Sequence, residues 1–165
     1  MSKVFYVPLK DNPTLDEQVA AMRVLIERAQ IADLIERDDF VAVKLHVGEK
    51  HNTTHVKPEL IRAVVDAARQ KGGQVFLTET STLYKGAREN AVKHLLHAHA
   101  HGFGIERVGA PFIMADGLTG GSEVEVRIDG EVEQTVKIAR EIAYSDVLIA
   151  VSHPTGHVET GLGGC

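Results

Sequence analysis

Apolar and polar positions along this chain switch between two periods, and the switching predicts strands separated by helices. Residues 4–8 are a short apolar run broken by Asp11-Asn12-Pro13, and they read as a first strand. Thr14 followed three residues later by Glu17 has capping-box form. Leu15, Val19, Met22 and Ile26 then recur at helical spacing, which predicts a helix to about Gln30. Residues 31–35 predict a further short helical turn. Residues 40–47 are apolar except for Lys44 and His46, the pattern of a strand covered on both faces. Pro58 suits the first position of a second helix, with Leu60, Ile61, Val64, Val65 and Ala68 as its buried stripe and Gly72-Gly73 at its end. Residues 74–78 predict a third strand, residues 89–101 a third helix stopped by Gly102, and residues 105–108 another strand.

The second half adds a different element. Residues 123–128 alternate polar and apolar, Asp129-Gly130 is a hairpin signal, and residues 131–138 read as the return strand. A short helix near residues 139–144 leads to residues 147–151, the most apolar run in the chain and the expected central strand. The alternation implies one α/β domain over residues 1–165. Its sheet is expected to be mainly parallel, with helices on both faces, right-handed crossovers, and an inserted antiparallel β-hairpin near residues 123–138.

Ligands of such sheets bind beyond the carboxyl ends of the strands, which leaves three places to look. After the second strand come Lys44, His46, Gly48, Glu49, His51 and His55. Lys44 and His46 share a face, and Lys44 must pair with Glu79, reach solvent or hold an anion, because a lone buried ammonium is costly. After the third strand come Glu79, Thr80, Tyr84, Arg88 and Asn90. The Arg88 fork suits a carboxylate or phosphate, while hydroxyls here serve equally as helix caps. After the last strand come His153, Gly156 and His157 in a glycine-rich stretch, which reads as a ligand loop or as a flexible tail. On the third helix, Val92, Leu95, Leu96, His99 and Phe103 form the expected apolar side, with His94, His97 and His101 on the other.

Composition narrows the classes. A chain of 165 residues, 44% hydrophobic and 25% charged, is ordinary for one globular domain. Its net charge of −5 gives no footprint for nucleic acid. No apolar stretch approaches the roughly 20 residues of a membrane span, and residues 1–10 lack the form of a signal peptide, so a cytoplasmic location is expected. The single cysteine, Cys165, allows no intramolecular disulfide and no cysteine cradle for an iron–sulfur cluster. No dinucleotide fingerprint, P-loop, GxSxG elbow or HExxH helix occurs. Nine histidines are many for this length, and histidine is both the side chain that titrates near neutrality and the commonest metal ligand.

Four segments, KLHVGE (44–49), TETSTLYKGARENAVKHL (78–95), VGAPFIMADGL (108–118) and SHPTGHVETGLGG (152–164), resemble the family called domain of unknown function 362, whose members are often labelled uncharacterised Fe–S center proteins. The resemblance implies a longer protein with ferredoxin-like cysteine motifs for a [4Fe–4S] cluster further on, so this chain looks like an N-terminal or truncated portion. It departs from the pattern at Pro154-Thr155, where an aromatic–lysine pair is expected, and at Cys165, where a small residue is expected. The matching positions are Lys44, His46, Gly48, Glu49, Thr80, Tyr84, Arg88, Asn90, His153, Gly156 and His157.

Two functional expectations follow. In the first, the strand ends bind a small anionic molecule or a divalent metal, with a link to redox chemistry. Lys44, Gly48, Glu49, Thr80, Tyr84, Arg88, Asn90 and Gly156 bind the ligand. His46, Glu79 and His153 are the catalytic candidates, and His46, His153 and His157 the metal ligands. In the second, the chain is a non-catalytic scaffold that forms a homo-oligomer or joins a partner iron–sulfur protein. The first requires three loops, distant in sequence, to meet in one pocket.

Overall fold

The structure is a computed structural model and describes residues 3–164. Thr14 caps α1 (Leu15–Ala29) as its capping box predicts: its hydroxyl accepts the Glu17 N–H, and the Glu17 carboxylate accepts the Thr14 N–H at 2.8 Å. A 3₁₀ turn over Ile31–Leu34 follows. The sheet is built from β1 (Phe40–Leu45), β2 (Gln74–Glu79), β3 (Phe112–Met114) and β6 (Val147–Val151) in the order β3-β2-β1-β6, all parallel. Between β1 and β2 lies α2 (Pro58–Gln70), with Pro58 in its first turn.

Alternation along the strands sorts the two faces. Val41, Val43, Leu45, Val75, Leu77 and Val151 join Ile61, Val64, Val65 and Ala68 of α2 in the main core. The second face carries Phe40, Ala42, Phe76, Ile113 and Leu148. It is met by the single-turn helix α5 (Arg140–Ala143), whose Glu141 shares a small cavity with Phe40, Phe76 and Ile113. Phe40, Ile113 and Leu148 remain exposed. The antiparallel hairpin pairs β4 (Glu123–Arg127) with β5 (Thr135–Ala139), closed by residues 128–134 rather than by Asp129-Gly130 alone.

Several elements differ from the sequence expectation. Residues 4–8 form no strand: they pair with no strand among the described residues, and Val4 and Tyr6 face solvent. Apolar alternation supplies a face, not a partner. Residues 105–108 are a helical turn, α4 (Ile105–Val108), closed by Gly109 at φ 79°; two apolar residues three apart, with Glu106 and Arg107 between them, fit a helical turn better than the alternation of a strand. The strand β6 lies at the sheet edge, not its centre, with Leu148 and Ala150 exposed. The C-terminal stretch is neither loop nor tail but a hairpin of β7 (Thr155–His157) and β8 (Gly161–Gly163). The helix α3 (Ala91–Ala100) is turned about its axis: His94, His97 and Ala98 are buried, while Val92 and Leu96 are exposed. Among the described residues no helix is long and apolar enough to cross a membrane.

Candidate functional site

The carboxyl ends of β1, β2 and β6 bring together the histidine-bearing loops. A pocket of about 250 Å³ is lined by His46, Asn52 and His55 from the loop after β1, Tyr84 from the loop after β2, and His153, Thr155, His157, Gly163 and Gly164 after β6. Three loops distant in sequence therefore share one cavity.

Backbone hydrogen bonds determine what each imidazole offers. The Nδ1 of His46 accepts the Gly48 N–H at 3.2 Å. The Nδ1 of His157 accepts the N–H groups of Glu159 and Thr160, each at 3.2 Å. A neutral imidazole whose Nδ1 accepts carries its hydrogen on Nε2, so both rings are N–H donors. His55 is the opposite case: its Nδ1–H donates to the Asn52 carbonyl at 3.1 Å, which leaves Nε2 with a lone pair. Burial, reinforced by the charge of Arg88, lowers the pKa of His46, and burial also lowers that of His55. Both rings are thus neutral near pH 7. Of these three imidazoles, two offer the pocket a hydrogen-bond donor and one a proton acceptor.

The loop after β1 is held from behind by α3. His97 Nε2–H donates to the Gly48 carbonyl and His101 Nδ1–H to the Val47 carbonyl, each at 2.8 Å. The His55 ring stacks on His101 with centroids 4.8 Å apart. The sequence pattern sets these histidines opposite the apolar side of the helix, yet they supply the donors that two buried carbonyls need. Gly48 has φ +84°, and a Cβ there would lie 2.9 Å from His55. Gly48→Ala is therefore expected to cost roughly 2 kcal/mol, from left-handed strain and the clash together. Chemical denaturation measures the loss, and an unchanged midpoint would show that the loop relaxes.

Two ion pairs stand beside the pocket. Lys44 Nζ lies 3.3 Å from Glu79 Oε1, and Glu79 Oε2 accepts the Thr80 N–H at 2.8 Å. Glu79, read as catalytic, lies outside the pocket lining, as do Lys44 and Thr80. The second pair joins Arg88 to Glu49, with Tyr84 between: Arg88 Nη2 donates to Glu49 Oε1 and, at 2.7 Å, to the Tyr84 oxygen, while the Tyr84 hydroxyl donates to Glu49 Oε1 at 2.6 Å. Burial opposes the charge of Glu49, but the Tyr84 hydroxyl and the Arg88 guanidinium prevail and hold its carboxyl below the ordinary range. Asn90 is the N-cap of α3, accepting the Lys93 N–H at 3.0 Å, and Gly156 lies in exposed β7. Neither lines the pocket. His55, named with its loop but given no role, lines it, and so do Asn52 and Thr155, which were not singled out; the only sequence signal for them was the richness of their loops in polar residues. His46, His153 and His157 share the pocket, but among the described residues no group of three His, Cys, Asp or Glu is arranged to hold a metal ion. Cys165 lies outside the described residues.

Fold and site together define a parallel α/β domain with a histidine-lined pocket at the carboxyl ends of its strands. Residues 41–165 match the family model described as Domain of unknown function (DUF362), and the chain belongs to that family. The match begins at the second residue of β1, so every residue of the pocket falls within it while α1 lies outside. No curated protein and no solved structure matches the chain.

Proposed function

We propose that this domain binds a small, acceptor-rich anion in the pocket between the loops after β1, β2 and β6. The observation that carries the reading is that backbone N–H groups face the Nδ1 atoms of His46 and His157. His46 and His157 each spend Nδ1 on backbone N–H groups and so present Nε2–H, a donor suited to a carboxylate or phosphate oxygen. A metal held through Nε2 would need that lone pair, with Nδ1–H donating to a second-shell acceptor, and a metal held through Nδ1 would have to displace the backbone N–H groups now there. The divalent metal and redox link expected from the histidines and from the family resemblance thus have less support than the anion. His55, with its Nε2 lone pair beside two donors, is the candidate proton acceptor should the bound molecule react.

Titration with inorganic phosphate, followed by the imidazole ¹⁵N and ¹H resonances, tests this. The Nε2–H signals of His46 and His157 are expected to move together and saturate, and His46→Ala to weaken binding about fivefold, the worth of one hydrogen bond near 1 kcal/mol. Imidazoles indifferent to phosphate, or a His46 hydrogen found on Nδ1, would refute the reading.

The scaffold alternative has one observation in its favour. Phe40, Ile113 and Leu148 lie exposed on the second sheet face, and among the described residues the outer edge of β6 pairs with no strand; such a surface favours association.

A further inference from the structure

We propose that Arg88 is the charged anchor of the bound anion and that the Glu49 carboxylate now in its fork is a stand-in which the ligand displaces. The inference rests on the anion reading above and gives its ligand a class: an oxyanion, carboxylate or phosphate, able to accept two parallel N–H bonds.

The pair is lopsided. The Arg88 side chain is 7% exposed and that of Glu49 is 51% exposed. One partner is fixed inside the protein, while the other reaches it from the surface and can leave by rotating its own side chain. The backbone need not move, because His97 and His101 hold the Gly48 and Val47 carbonyls just before it.

The fork is also half filled. Arg88 Nε and Nη2 form one edge of the guanidinium, the edge that grips a carboxylate or phosphate with two parallel bonds. Glu49 engages Nη2 through one oxygen, and Nε is buried with no hydrogen-bond partner. A guanidinium buried this deep for a purely structural purpose would have that donor satisfied, since an unmade buried bond costs about 1–3 kcal/mol. An incoming oxyanion can take both positions.

Tyr84 connects this fork to the pocket. Its hydroxyl touches both Arg88 and Glu49, and its side chain lines the cavity with His46. Withdrawing Glu49 therefore opens the pocket towards the guanidinium. It also changes the local charge: with Glu49 seated the pair is neutral, and without it an unpaired cation faces the ligand.

The test is phosphate binding to the wild type, Glu49→Ala, Glu49→Gln and the double variant Glu49→Ala/Arg88→Lys, read by imidazole resonances and by the thermal midpoint. Glu49→Ala is expected to bind phosphate about tenfold more tightly than the wild type, and to gain more thermal stability from it. The double variant, which keeps a charge but lacks the fork, is expected to lose that gain. If Glu49→Ala binds no better while phosphate still moves His46 and His157 in the wild type, the stand-in is refuted and the anion pocket survives. If phosphate moves neither ring in any protein, both readings fall. Should Glu49→Ala fail to fold, Glu49→Gln must show tightening in the same direction, since its neutral amide holds the guanidinium more weakly than the carboxylate and is displaced more easily; its absence there is equally fatal.

Discussion

Lys44→Met is expected to lower the unfolding free energy by about 3 kcal/mol, the low end of the range for removing one partner from a buried ion pair. The cost arises at Glu79. Its side chain is 6% exposed, against 21% for Lys44, and its carboxylate sits at the end of β2 with the ammonium 3.3 Å from Oε1. The remaining oxygen accepts the Thr80 N–H, one bond that does not replace a cation. Removing Lys44 strands a carboxylate that has little water to turn to. Removing the carboxylate instead, as Glu79→Leu, is expected to cost less, because the longer lysine side chain can carry its ammonium towards solvent. In Lys44→Met/Glu79→Leu most of the loss returns, since replacing both partners of a buried pair by apolar groups is often close to neutral. Urea denaturation of the three variants measures the coupling. Strictly additive losses would show that the two groups do not depend on each other.

The same pair shows how far the sequence could be read. A lysine in an apolar strand demanded a counter-charge, and Glu79, one short crossover away, was the near candidate. The paired neighbours β1 and β2 supply it. The capping box of α1 and Pro58 of α2 were legible for the same reason: each is a local rule that tertiary context did not override. The position of β6 was not local. Its five apolar residues fit a central strand or an edge, and only the order of the crossovers decides. The helix α3 was harder. His94, His97 and His101 follow the spacing i, i+3, i+7 and so form one face, but polarity alone assigns that face to solvent. It turns inward because the Val47 and Gly48 carbonyls, buried at the end of β1, require donors. Val92 and Leu96 are left outside as a consequence. The pocket itself was half legible. The rule that strand ends carry sites pointed to its three loops, while the tautomers that define its chemistry depend on backbone N–H groups that no residue pattern reveals.

The buried histidine of that helix predicts an acid-sensitive fold. His94 has no solvent exposure, neither ring nitrogen has a hydrogen-bond partner among the described residues, and the ring lies against Phe112. Burial above all, then the positive charge of Arg88, lowers its pKa from 6.5 to about 4. As the pH falls below 6.5 the unfolded imidazole takes up a proton, while the folded one refuses it until about 4. The unfolded state binds more protons throughout that window. Stability is therefore full above pH 6.5, declines as the pH drops, and levels off below about 4, with a total loss of about 3 kcal/mol. His94→Leu removes the titrating group and sacrifices no hydrogen bond, so its stability at pH 7.5 is expected to lie within about 1 kcal/mol of the wild type. At pH 4.5 the order reverses, and the variant outlasts the wild type in urea. His46 and His55 titrate in both proteins, so the difference between the two curves isolates His94. Parallel curves would mean that the imidazole is charged or solvated in the fold, and the acid sensitivity assigned to it would have to lie elsewhere.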